Sequence, residues 1–98
     1  MNRQRYKPDA GTADIVQGLR GAGCSVALIQ GANGQAGVPD LLCGLHGRNL
    51  LIEVKRPKAK GQPAGRLSED QLKWMASWRG QTAVVTTLAE ALAVVGLL

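Results

Sequence analysis

The chain has 98 residues, 45% hydrophobic and 19% charged, with twelve Lys and Arg against seven Asp and Glu for a net charge of +5. That is the size of one small globular domain, too apolar to be disordered, and no apolar run reaches the ~18 residues of a membrane-spanning helix. The basic balance points to an anionic partner, nucleic acid being the simplest.

In chain order, residues 1–8 read as a basic arm bearing Arg3, Arg5 and Lys7, with charge but no apolar stretch of the kind a secretory signal needs. A helix is predicted from Gly11 to Gly21, with Thr12 as N-cap and Ile15, Val16, Leu19 and Ala22 as its apolar stripe. Ser25 to Ile29 reads as a short strand. A loop holding Gly31, Gly34 and Gly37 follows; it reads first as a plain flexible connection, and second as backbone that could approach a phosphate. Leu41–Leu45 and Asn49–Lys55 read as two arms of a hairpin turning at His46-Gly47-Arg48, with His46 on the surface. A polar loop leads to the clearest helix, Ser68 to Trp78, with Ser68 as N-cap and Gly80 past its end. Thr82–Thr86 is predicted as a fourth strand and Leu88–Val95 as a final helix. The order α-β-β-β-α-β-α predicts an α/β fold, a mixed sheet flanked by helices.

Cys24 and Cys43 sit in apolar runs outside any CxxC or Cys/His cluster, so they read as buried thiols of a reducing, cytoplasmic protein and not as zinc ligands. Aromatics are limited to Tyr6, Trp74 and Trp78, so the core must be aliphatic.

The informative segments are Gly37-Val38-Pro39-Asp40 and Ile52-Glu53-Val54-Lys55. Strand alternation puts Glu53 and Lys55 on one face, and a hairpin would bring Asp40 beside Glu53 at its open end. Two adjacent carboxylates repel, and a hard divalent cation resolves the repulsion. Mg²⁺ or Mn²⁺ held there would lower the pKa of a water and shield a phosphate, with Lys55 orienting the water, which suits phosphodiester hydrolysis. An acid-x-Lys triplet is by itself more often a solvated strand face; here it lies in the apolar run Leu50-Leu51-Ile52, where buried charges need a partner. Gln71 completes a capping box with Ser68 and also falls in the arc of Trp74, Met75 and Trp78 expected to face the sheet, so it reads both as a cap and as a neighbour of the acidic site.

These segments, with Leu67-Ser68-x-x-Gln71, resemble the PD-(D/E)xK nuclease superfamily, and more narrowly the VRR-NUC family in its compact, stand-alone form. The resemblance covers about residues 10–95. It implies a restriction-endonuclease-like αβββαβ core and Mg²⁺- or Mn²⁺-dependent endonucleolytic cleavage of DNA, with branched or Holliday-junction DNA as the suggested substrate. By position it makes Asp40, Glu53 and the Val54 carbonyl metal ligands, Lys55 the partner of the attacking water and Gln71 a site residue. It asks for an acid on the first helix. Asp14 is the only acid there, shorter than the family's usual Glu, and otherwise reads as a first-turn acid favoured by the helix dipole.

Arg56, Lys58, Lys60 and Arg66 lie in a window without an acid or an aromatic, so they are expected to contact nucleic-acid backbone, not bases. The last helix is apolar nearly all round, which predicts a homodimer through it, with Trp78 alongside. The competing reading is a non-catalytic basic nucleic-acid-binding module on the same fold; a third is an RNA-directed nuclease.

Overall fold

The computed structural model describes residues 10–29 and 35–98. The elements are α1 (Ala10–Gly21), β1 (Ser25–Leu28), β2 (Leu41–Leu45), β3 (Arg48–Val54), α2 (Glu69–Ser77), β4 (Thr82–Val85) and α3 (Leu88–Val94). The expected order therefore holds, with ends moved by a residue or two. Helix α1 is described from Ala10, so Thr12 lies buried inside it and is not its cap. The basic arm of residues 1–8 and Gly31 and Gly34 of the glycine loop lie outside the described residues.

The sheet runs β1-β2-β3-β4, antiparallel across the first two pairs and parallel between β3 and β4. The parallel step needs a crossover, and the long loop and α2 between β3 and β4 supply it. The β2–β3 hairpin turns on His46 and Gly47, with φ of 53° and 78° and Leu45 opposite Arg48. Both central residues at positive φ make this the two-residue turn whose twist matches the strands. It fixes the register that sets Leu41 against Ile52.

That register sends alternate side chains to opposite faces. Leu41, Cys43, Ile52 and Val85 are buried in one core with Ile15, Val16 and Leu19 of α1, and with Ala91 and Val95 of α3 and its end. Helix α3 is capped by Thr87, whose hydroxyl accepts from the Glu90 N–H at 3.1 Å. The Glu90 carboxylate accepts from the Thr86 N–H and hydroxyl, which lowers its pKa. Cys24 and Cys43 are both buried free thiols; burial first, then a hydrogen bond with Cys24, pushes the Cys43 thiol up to about 11. Among the described residues no helix is long and apolar enough to cross a membrane.

Helix α2 lies on the opposite face and buries no residue fully. The expected sheet-facing arc is only partly realised: Trp74 and Met75 are half-buried, while Trp78 is exposed. The helix ends at Ser77, and Trp78 has left helical geometry with ψ at 130°; it stays stacked on Trp74 but is not covered by the sheet.

Candidate active site

The hairpin register, continued one step past Leu41 and Ile52, sets Asp40 across from Glu53 on the α2 side of the sheet. Asp40 is 4% exposed and Glu53 3%. Strand β2 starts at Leu41, so the Val54 N–H has no β2 backbone to pair with; it donates to Asp40 Oδ2 at 2.9 Å. A strand residue directs its N–H and C=O to the same side, so the Val54 carbonyl leaves β3 on the edge that Asp40 occupies.

Glu53 has two differently treated oxygens. Oε2 accepts from Gln71 Nε2 at 2.8 Å and lies 3.3 Å from the Lys55 ammonium. Oε1 is buried with no hydrogen-bond partner among the described residues. An unpartnered buried carboxylate oxygen is costly. Burial raises the pKa of Glu53 and the charge of Asp40 raises it further; Lys55 and Gln71 act in the opposite direction. Two buried acids with an orphaned oxygen and a neighbouring carbonyl are a hard-oxygen donor set that fits Mg²⁺ or Mn²⁺.

Gln71 holds both positions expected of it. Its Oε1 accepts from the Ser68 N–H at 2.8 Å while its own N–H donates to Ser68 Oγ at 3.1 Å, a complete capping box. Its Nε2 is left free to reach Glu53. The start of α2 is thereby tied to the acidic strand. Gly37 makes a second tie: at φ 89°, a Cβ there would collide with the Asp70 carbonyl and stand 2.9 Å from the Trp74 Cβ. The expectation that this glycine lets backbone meet a phosphate is corrected at this position, because α2 is what packs against it.

Asp14 is not brought into the cluster. It is exposed on α1, and among the described residues no group of three or more His, Cys, Asp or Glu is placed to hold a metal. Nor is it a first-turn acid, since α1 is described from Ala10 and has no acid in its first turn. All four residues of the basic window, Arg56, Lys58, Lys60 and Arg66, are exposed. Arg56 also bonds back to its own loop: its Nη1 donates to the Pro63 carbonyl at 2.5 Å and to Gln62 Oε1 at 3.5 Å, and its carbonyl accepts from the Gly65 N–H. It braces the loop that presents the other three. The Val54 N–H is the contact that residue types alone do not reveal. Counting back from the two-residue turn would have found it, because that count leaves Val54 one step beyond the last β2 pair.

No curated protein and no solved structure matches the chain significantly. The description of the VRR-NUC domain does match, over residues 4–91, which include Asp40, Glu53, Lys55 and Gln71. By sequence, strand order and the acids at the open end of its hairpin, the chain belongs to the VRR-NUC domain family of nuclease-related proteins.

Proposed function

We propose that the protein is a Mg²⁺- or Mn²⁺-dependent, structure-selective endonuclease that hydrolyses phosphodiester bonds of DNA, branched DNA included. The observation that carries this reading is the Glu53 carboxylate, buried beside Asp40 with Oε1 unpartnered and Oε2 held by Lys55 and Gln71. Asp40, Glu53 and the Val54 carbonyl would hold the ion. When bound, it would neutralise phosphate charge and lower the pKa of a water. Asp40 is kept in place by the Val54 N–H, and Gln71 fixes the rotamer of Glu53. Lys55 brings an ammonium to the site; it orients the attacking water and offsets charge that develops on the phosphate. Lys58, Lys60 and Arg66 hold the flanking backbone and make affinity fall with salt.

The test is cutting of labelled four-way junctions and matched linear duplexes in Mn²⁺, together with calorimetric titration of Mn²⁺ in the absence of DNA. Wild type is expected to bind Mn²⁺ and cut. Glu53→Ala and Asp40→Asn are expected to lose binding and at least about 10³-fold in rate, the several kcal/mol that a metal contributes to such a transition state. Metal-indifferent DNA binding without cutting would make the chain a binding module, and preferential cutting of RNA duplexes would change the substrate class. Dimerisation through α3 remains part of the proposal: Val94, Leu97 and Leu98 at its end are exposed, and sedimentation of Val94→Asp tests it.

A further inference from the structure

A groove of about 430 Å³ runs along the α2 face of the sheet, with Leu42, Asn49 and Leu51 lining it from the strands and Trp74 and Trp78 from α2 and its end. The two indoles stack with centroids 4.7 Å apart and planes 16° from parallel. Trp78 is nonetheless 47% exposed. The Gly80 backbone lies against its pyrrole ring, where a Cβ would come within 2.8 Å of Nε1. The exposed ring is thus backed by a second indole and braced by a glycine before any ligand arrives.

The groove is continuous with the acidic site. Leu51 precedes Glu53 by two residues on the same face of β3, about 7 Å away. Trp74 stands three residues after Gln71, so the helix that touches Glu53 at its first turn carries that indole about 5 Å further along, with Trp78 stacked on it beyond the helix end.

We propose that this groove is a nucleobase site: it takes an unpaired base of a strand whose neighbouring phosphate lies at Asp40, Glu53 and Lys55, and stacks that base on Trp78. The proposal rests on the nuclease reading of that site and adds what selects the substrate. A flat, pre-positioned π surface suits a planar base, and such stacking is indifferent to sequence. Asn49 and Gln81, which carry amides able to meet a base edge, are among the lining residues, and among the described residues no acid lines the groove. Lys73 and Arg79, the sequence neighbours of the two indoles, are both exposed. A base can enter only from a strand that is unpaired beside the cut. The groove therefore favours overhangs, flaps and branch points over continuous duplex.

The experiment uses the full chain in EDTA, where no cutting occurs. Three hairpin DNAs are compared by fluorescence anisotropy and tryptophan emission: blunt, with a short single-stranded overhang, and with the same overhang made abasic. The overhang hairpin is expected to quench tryptophan emission and to bind more tightly than the other two. Trp78→Ala is expected to lower that preference about tenfold, with Trp78→Phe restoring part of it. Trp78→Leu, which keeps an apolar side chain against Trp74, should fold by circular dichroism and still lack the preference. Equal affinity of wild type for intact and abasic overhangs overturns the proposal, as does a preference that survives Trp78→Ala. A dimer that dissociates on Trp78→Ala, with no quenching by DNA, would give the groove to a second copy and overturn it too. Metal-dependent cutting without base preference defeats only the base site. Base preference without Mn²⁺ binding or cutting defeats the nuclease reading instead.

Discussion

Ile52 and Glu53 are neighbours on β3 and point to opposite faces of the sheet, and the two faces are built on different terms. Around Ile52, the side chains of Leu41, Cys43 and Val85 are almost fully buried under α1 and α3. Around Glu53, the same strands offer Leu42 at 36% exposure and Val84 at 43%, under a helix that buries no residue fully. One face supplies burial, and with it stability. The other leaves room for charge and for a ligand, and α2 is tied to it by a few specific contacts at Gln71 and Gly37. A small chain can carry a buried acid pair because the aliphatic face behind the sheet does not have to move to accommodate it.

The contrast breaks most directly in a pair of alanine substitutions on the strands. Ile52→Ala is expected to cost about 2–5 kcal/mol, since it opens a cavity in a closely packed core. That is a large share of the ~5–15 kcal/mol typical of a domain. Leu42→Ala, on the half-covered face, is expected to stay within about 1 kcal/mol. Urea denaturation of the two variants measures both, and similar losses would mean that the α2 face contributes as much packing as the other.

Glu53 sharpens the contrast through its sign. Burial, and then the charge of Asp40, raise its pKa above the ordinary value of 4.5. Between 4.5 and the raised value the folded chain keeps a proton that the unfolded chain has released. Stability in the absence of metal is therefore greatest, as far as this group is concerned, below that window, and falls as pH rises through it. Glu53→Gln removes the titration, so it is expected to raise the metal-free melting temperature at neutral pH and to flatten its pH dependence. Mn²⁺ is expected to raise the melting temperature of wild type and not of Glu53→Gln. Thermal melts at several pH values, with and without Mn²⁺, check both. A drop in metal-free stability on Glu53→Gln would show that the carboxylate is already satisfied.

The same contrast explains what could be read from the sequence. The buried face was legible because its signals are local. Leu41–Leu45 carries its own hydrophobic pattern, and His46-Gly47 carries its own turn. The pairing of Asp40 with Glu53 was legible because strand alternation and hairpin closure are geometry that sequence fixes. The α2 face was less so. Trp74, Met75 and Trp78 make an apolar arc at helical spacing, yet the helix stops at Ser77, so Trp78 leaves the helical arc and stays largely exposed while stacked on Trp74. Asp14 satisfied a residue type on α1, but the spacing of Ile15, Val16 and Leu19 already set it outside the apolar stripe, and it is exposed. Arg56 resembled its basic neighbours, and only the folded loop reveals that its guanidinium bonds to the Pro63 carbonyl.

The smallest expected effects come from the start of α2, where one residue serves both the fold and the site. Ser68→Ala removes the acceptor for the Gln71 N–H and is expected to cost about 1 kcal/mol, an ordinary cap loss. Gln71→Ala removes the bond to the Ser68 N–H, so it should cost a similar ~0.5–1.5 kcal/mol. It also removes the Nε2 donor to Glu53 Oε2, one of the contacts that hold the Glu53 pKa down. With that contact gone the pKa rises further, and the fall in metal-free stability extends to higher pH. Ser68→Ala leaves Gln71 Nε2 in place and should leave that fall where it was. The two variants therefore match in denaturation at one pH and separate in the pH profile. A pH profile of Gln71→Ala identical to that of Ser68→Ala would reduce Gln71 to a cap.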